Sequence, residues 1–189
     1  MKAKEIIRKW RLPFKCTLME SIMSTEIELA LNDWIKNTNT DEFVLIGGTL
    51  VGYYTKPRMT QDVDVLYFSA DSIPSEVSGF KHHRSHAFEH RRTGVEIETL
   101  DSKFLKIPQS LVDQVFKSSI IKEGVRIASV EGLIAMKTWR GSFQDIADID
   151  SIIQIHDVDL SDWILDPTKL EMIEQKLGYK LRNQNDITR

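Results

Sequence analysis

Residues 46–66 read IGGTLVGYYTKPRMTQDVDVL. The stretch follows the apolar run Phe43-Val44-Leu45-Ile46 and opens with Gly47-Gly48. That order predicts a short buried strand, a tight turn and then a short helix over 49–54. Asp62-Val63-Asp64-Val65 begins a second strand, expected over 62–68, with polar and apolar residues alternating. Residues two apart in a strand face the same way, so Asp62 and Asp64 project together while Val63 and Val65 enter the core. Two adjacent carboxylates repel, and a divalent cation resolves the conflict; hard oxygen ligands suit Mg²⁺. Glycines let a backbone approach a phosphate closely, and the start of the next helix offers free N–H groups to an anion. Carboxylates for a metal beside glycines for a phosphate are the minimum needed for phosphoryl or nucleotidyl transfer.

Upstream, Ile27, Ala30, Leu31 and Trp34 recur at helical spacing, predicting a helix over 25–36 with Thr25 and Glu28 as a capping box. Residues 1–23 form a basic extension in which 1–11 could be a short amphipathic helix stopped by Pro13. Its bland reading is a solvated basic helix, and the sharper one is contact with RNA or with substrate phosphates. Downstream, 81–100 suggests a hairpin turning at Arg92-Thr93-Gly94. Beyond Pro108 the pattern becomes helical, over 111–121, 129–139 and 142–155. A final helix opens at Asp166-Pro167 and ends at Gly178. Strands cluster first and helices follow, which predicts an α+β fold with a small mixed sheet flanked by helices and a helical C-terminal part. The expected division is the basic extension (1–23), a core (24–110) and a helical region packed on it (111–189).

The bulk numbers bound the function. The chain has 189 residues, a net charge of −3, 41% hydrophobic and 28% charged residues. It is long enough to bury a core without covalent staples, and its charge gives no global sign of a nucleic-acid binder. Cys16 is the lone cysteine, which excludes an internal disulfide framework and a cysteine-rich zinc site. A reducing, cytoplasmic setting is the expectation from that cysteine usage, and no membrane partner is expected, because no apolar run reaches the roughly 18 residues that span a bilayer.

The stretch at 46–66 resembles the nucleotidyltransferase superfamily, which has the DNA polymerase beta-like fold. Its pattern is a hydrophobic residue, Gly-Gly or Gly-Ser, a spacer, then Asp-hydrophobic-Asp. Arg58 and Thr60 are placed as in the subset related to AbiEii-type toxins. The segment RIASVEGLIAMKTWRGSFQDIADIDSI, residues 126–152, is similar to that subset's later helical stretch. The resemblance covers roughly residues 40–155. It implies that Gly47, Gly48 and Thr49 contact an NTP, and that Asp62 and Asp64 hold Mg²⁺, with a second metal allowed. A third carboxylate on a later strand would act as base or metal ligand. The segment 94–100 offers Glu96 and Glu98, which share a face, so spacing does not choose between them. The family's pattern favours Glu98, where aspartate is more usual. Lys137 and Asp145 also match the subset. Lys137 reads either as a solvated helix charge or as a triphosphate clamp, Asp145 as a helix cap or a site residue, and Arg58 as a further nucleotide contact. The implied reaction moves a nucleoside monophosphate from an NTP to an acceptor hydroxyl and releases pyrophosphate. The acceptor could be RNA (tRNA above all), a protein or a small molecule, and a toxin of this type could pair with an antitoxin. The alternative is a catalytically degenerate domain of the same fold that acts as a binding partner.

His82, His83, His86 and His90 lie close together, and 82, 86 and 90 would share a face in a strand or a helix. Zinc binding, an acceptor-facing basic patch with Lys81, Arg84, Arg91 and Arg92, and a solvated hairpin are the readings open to them.

Overall fold

The structure is a computed structural model that describes residues 24–57 and 60–181. The extension at 1–23 and Arg58 lie outside these residues. Helix α1 (Thr25–Asn37) starts where expected and runs one residue further, but its cap is one residue earlier. Ser24 caps it by accepting from the Ile27 amide, which displaces the Thr25–Glu28 box. Strand β1 (Phe43–Leu45) leads into α2 (Gly47–Tyr54), and β2 (Asp62–Tyr67) returns antiparallel to β1.

The region expected to be one hairpin is a meander of three strands: β3 (Phe80–Arg84), β4 (Ala87–His90) and β5 (Glu96–Leu100). The sequence signal found the second turn, at Gly94, and missed the first, at Ser85-His86. A short helix, α3 (Ser102–Leu105), and a longer one, α4 (Gln109–Ser118), come next. The helix predicted to reach residue 121 stops at Ser118. Ile120–Lys122 (β6) and Val125–Ile127 (β7) form a hairpin. The C-terminal region therefore adds strands as well as helices. Then α5 (Val130–Arg140), α6 (Phe143–Ile153) and α7 (Pro167–Leu177) follow, capped by Ser129, Ser142 and Asp166; the sequence indicated the last two, and had Ser129 inside its helix.

The strands form one mixed sheet in the order β3-β4-β5-β2-β1-β7-β6. β2 and β5 run parallel, as do β1 and β7. An α+β architecture with a mixed sheet flanked by helices is thus what the chain adopts. On one face of the sheet, Val63, Val65, Ile97 and Phe88 are buried and α1 covers them. Trp34 of α1 is fully buried, with its ring 5.1 Å from Phe80 and 5.2 Å from Phe88. Burying one such ring stabilises the fold by about 3 kcal/mol or more, so α1 locks β3 and β4 to the rest of the sheet. His90, also fully buried, adds a polar tie: it bonds Asp33 of α1 at 3.2 Å and Thr93 at 2.8 Å. Among the described residues no helix is long and apolar enough to cross a membrane.

Candidate active site

The parallel pairing of β2 with β5 sets Asp62 opposite Glu96 and Asp64 opposite Glu98. Side-chain alternation then gathers four carboxylates on one face, two by two, while Val63, Val65 and Ile97 point to the core. Glu89 of β4, the register partner of Glu96, joins the same face. Neighbouring strands are only about 4.8 Å apart, so these charges need compensation.

Strand β3 supplies part of it. Lys81 pairs with Glu89 at 2.8 Å, and both His83 and Arg84 bond Glu96. Strict alternation would send residues 83 and 84 to opposite faces. A register shift between His82 and Arg84 breaks it: His82 pairs with Phe88, and Arg84 already pairs with Ala87. This β-bulge turns Arg84 onto the carboxylate face. Arg84 also donates to Glu98 Oε1 at 3.1 Å. Its hydrogen bond to Glu96, helped by His83, holds that carboxyl below the usual range.

Asp64 is in the opposite situation. Burial pushes its carboxyl up from 3.8 to about 6, with Asp62 and Glu98 adding to the rise and the charges of Arg140 and Lys137 opposing it. Asp62 is steadied by the Thr60 hydroxyl, 3.2 Å from Oδ1. Across from them, Gly47 has φ +73°, and a Cβ built there would lie 1.7 Å from Asp64 Oδ2. The turn is thus packed on the carboxylate itself, and only glycine fits. Ile46, whose amide donates to the Asp64 carbonyl at 3.0 Å, is the N-cap of α2 and supplies no side-chain cap. The amides of the first turn of α2 consequently open beside Asp64, an arrangement that favours an anion. The sequence motif gave Gly47 and Gly48 equal weight, but the close approach belongs to Gly47. Thr49 is buried with its hydroxyl toward the Asp62 carbonyl, so its backbone is what it can offer a phosphate.

Lys137 is not a solvated helix charge. It is 4% exposed and clamped between Asp145 at 3.2 Å and Asp148 at 2.7 Å. Asp145 does cap α6, in a full capping box with Ser142, and it also takes two hydrogen bonds from Arg140 at 2.6 and 2.7 Å. Burial alone would raise the Asp145 carboxyl, but the hydrogen bonds from Arg140 and Ser142 and the charge of Lys137 bring it down to about 2. Arg140 and Asp148 were not singled out in the sequence, although both lie in the 126–152 segment. The only signal available was the spacing of Lys137 and Arg140, three apart on one helix face.

The histidines scatter. His82 stacks on Phe88 at 4.2 Å, His86 on Phe104 at 4.1 Å, and His90 sits in the core. The register keeps His82 and His90 on one face, but His86 lies in the turn at 85–86, and among the described residues the histidines form no zinc site.

The donor chemistry at Asp62 and Asp64 fits a hard divalent cation. Two carboxylate side chains lie together, and burial and mutual repulsion make the charge of Asp64 unfavourable until a cation joins it. Glu98 is their register neighbour but is bonded to Arg84. Among the described residues no three acidic or histidine side chains are gathered into a ready cation site.

No protein-family model matches the chain, and no curated protein matches it significantly. Among solved structures, it is similar to an antigenic nucleotidyltransferase-like protein from Paracoccidioides brasiliensis. Identity is 20% and the TM-score 0.47, over 76% of this chain and 87% of that one. Likeness at that level fixes no activity here.

Proposed function

We propose that this chain is a Mg²⁺-dependent nucleotidyltransferase that moves a nucleoside monophosphate from an NTP to an acceptor hydroxyl. The observation that carries this reading is the placement of Gly47 directly on the Asp64 carboxylate, inside a block of four in-register acids. A phosphate-binding turn and a cation-seeking carboxylate pair are thereby held within one contact of each other. Asp62 and Asp64 would hold the ion, with Glu98 as a third ligand or base. Bound Mg²⁺ would offset charge on the triphosphate and on the departing pyrophosphate. The amides at Gly47, Gly48 and Thr49 orient the triphosphate, and the resemblance adds Arg58, which lies outside the described residues, as a further nucleotide contact. Lys137 acts from behind: its charge and that of Arg140 favour the ionised form of Asp64. The acceptor oxygen attacks the α-phosphorus, the bond from that phosphorus to the bridging oxygen breaks, pyrophosphate leaves, and the hydroxyl proton passes to Glu98. Positioning and charge stabilisation supply most of the rate.

The acceptor classes that suit this chemistry are RNA such as tRNA, a protein side chain and a small hydroxylated molecule. A toxin paired with an antitoxin is the setting that the AbiEii-like resemblance suggests. Incubating the protein with each α-labelled NTP, Mg²⁺ and cell extract tests the reading. Label transferred to one fraction names the acceptor, and no transfer with any NTP refutes the activity.

A second reading has one observation in its favour. Arg84 holds Glu98, and a three-carboxylate cation site is not assembled among the described residues, which suits a degenerate domain that binds a partner without catalysis. Metal-dependent NTP binding separates the two, because a degenerate domain shows little.

A further inference from the structure

Glu98 lines a cavity of about 230 Å³ together with Arg84, His86, Leu100 and Phe104. Pockets that enclose a whole drug-sized ligand run from about 300 to 1,000 Å³, so this one encloses a single ring and leaves the rest of a larger ligand toward solvent. Part of its lining is aromatic. The His86 ring lies on Phe104 with centroids 4.1 Å apart and a tilt of 39°, while 48% of the Phe104 surface stays exposed. The backbone of Phe104 is held by Asp101, which caps α3 by accepting from the Phe104 amide at 2.7 Å. The rest of the lining is charged. Arg84 is there because of the β-bulge, and without that shift its side chain would leave the carboxylate face.

We propose that this cavity binds the acceptor, and that the acceptor presents a planar heteroaromatic ring carrying an anionic group, as a nucleoside monophosphate unit does. The proposal rests on the transferase reading above. The ring stacks on Phe104 and His86, surfaces of the kind that hold unstacked bases. The anion engages the Arg84 guanidinium, whose planar fork matches a phosphate. Arg84 is largely in solvent, and exposed ion pairs are weak, so an incoming phosphate can draw it from Glu98. Glu98 is then released at the moment when an acceptor is present to be deprotonated. Arg84 is a positioning residue in this scheme, coupling acceptor occupancy to the freedom of the carboxylate.

Calorimetric titration of the metal-free protein tests this with a nucleoside monophosphate, the matching nucleoside, inorganic phosphate and a single-stranded ribotrinucleotide. The monophosphate is expected to bind tighter than the nucleoside or phosphate. Phe104→Ala should weaken it about tenfold or more, the scale of one base–aromatic stack. Phe104→Tyr should restore it, and Arg84→Gln should erase the preference for the monophosphate over the nucleoside. A trinucleotide that binds tighter than the monophosphate identifies a nucleic-acid end as the source of the ring, and one that binds equally or more weakly identifies a free nucleotide; both support the cavity. No monophosphate binding, or binding that neither Phe104→Ala nor Arg84→Gln changes while both variants remain folded by circular dichroism, overturns it. Mg²⁺-dependent NTP binding by the wild-type chain, measured alongside, tells the failures apart: present without monophosphate binding, it leaves the transferase reading standing and the cavity refuted.

Discussion

Replacing Asp64 by asparagine should make the metal-free protein more stable at neutral pH. Asp64 is held at about 6 in the folded chain against 3.8 for the free side chain. A carboxyl raised in this way is neutral in both states below pH 3.8. Between 3.8 and about 6 it ionises in the unfolded chain first, so folding loses stability as pH rises through that window. Above it the loss is complete, at up to about 3 kcal/mol. Asp64 keeps some access to water, which reduces the expectation to about 1–3 kcal/mol. An asparagine side chain has nearly the same shape, fits under Gly47 and carries no charge. For a chain of this size each kcal/mol moves the melting temperature by about 2–4 °C. Melts in EDTA should therefore put Asp64→Asn roughly 3–8 °C above wild type at about pH 7.5 and level with it at about pH 4. Added Mg²⁺ should raise wild type and do little for the variant. A variant that melts below wild type at the higher pH would show that Asp64 is a structural acid and sink the metal-site reasoning.

Three further outcomes are expected. Gly47→Ala should abolish Mg²⁺-dependent NTP binding in a chain that still folds by circular dichroism, because its Cβ would meet the Asp64 carboxylate; wild-type NTP affinity would remove the turn from the site. Glu98→Gln should cost about 10²-fold or more in turnover at saturating NTP and Mg²⁺, and Glu96→Gln less than about tenfold, with a reversed order moving the base to Glu96. Lys137→Met should lower stability by about 3–5 kcal/mol in chemical denaturation, since it removes the buried cation between Asp145 and Asp148, whereas a loss below about 1 kcal/mol would mean that Arg140, Ser142 and Gln144 suffice to hold the two carboxylates.

What the sequence made legible was local. A glycine turn after an apolar run, alternation through Asp62–Val65 and the caps at Ser142, Asp166 and Gly178 each depend on a few neighbouring residues, and each sits where it was expected. The β6–β7 hairpin was not legible. Ile120 and Ile121 continue an apolar pattern that reads as helix, and their turn is Glu123-Gly124, both at positive φ, in place of the more recognisable Asn-Gly. What makes β7 a strand is its pairing with β1, over 80 residues away. The site divides the same way. Asp62 and Asp64 could be found from spacing, but the neighbours of Glu96 and Glu98 come from the β2–β5 register and from a bulge that one-dimensional alternation cannot reveal.

The place of β1 has a consequence for the order in which this protein can be made. β1 lies between β2 and β7, one written before residue 70 and the other after residue 120. Leu45, at its end, pairs with Ile127 and accepts from the Ala128 amide at 3.1 Å, and Gly47 follows two residues on. A chain growing on the ribosome can fold the acidic strands early, yet the turn that faces them remains at a bare sheet edge until residue 128 has emerged. At about 5–20 residues per second, that leaves several seconds between synthesis of the carboxylates and completion of the turn. A site built in this way is completed in one late step, and a fragment that ends before that step carries the acids with β1 still at a bare sheet edge.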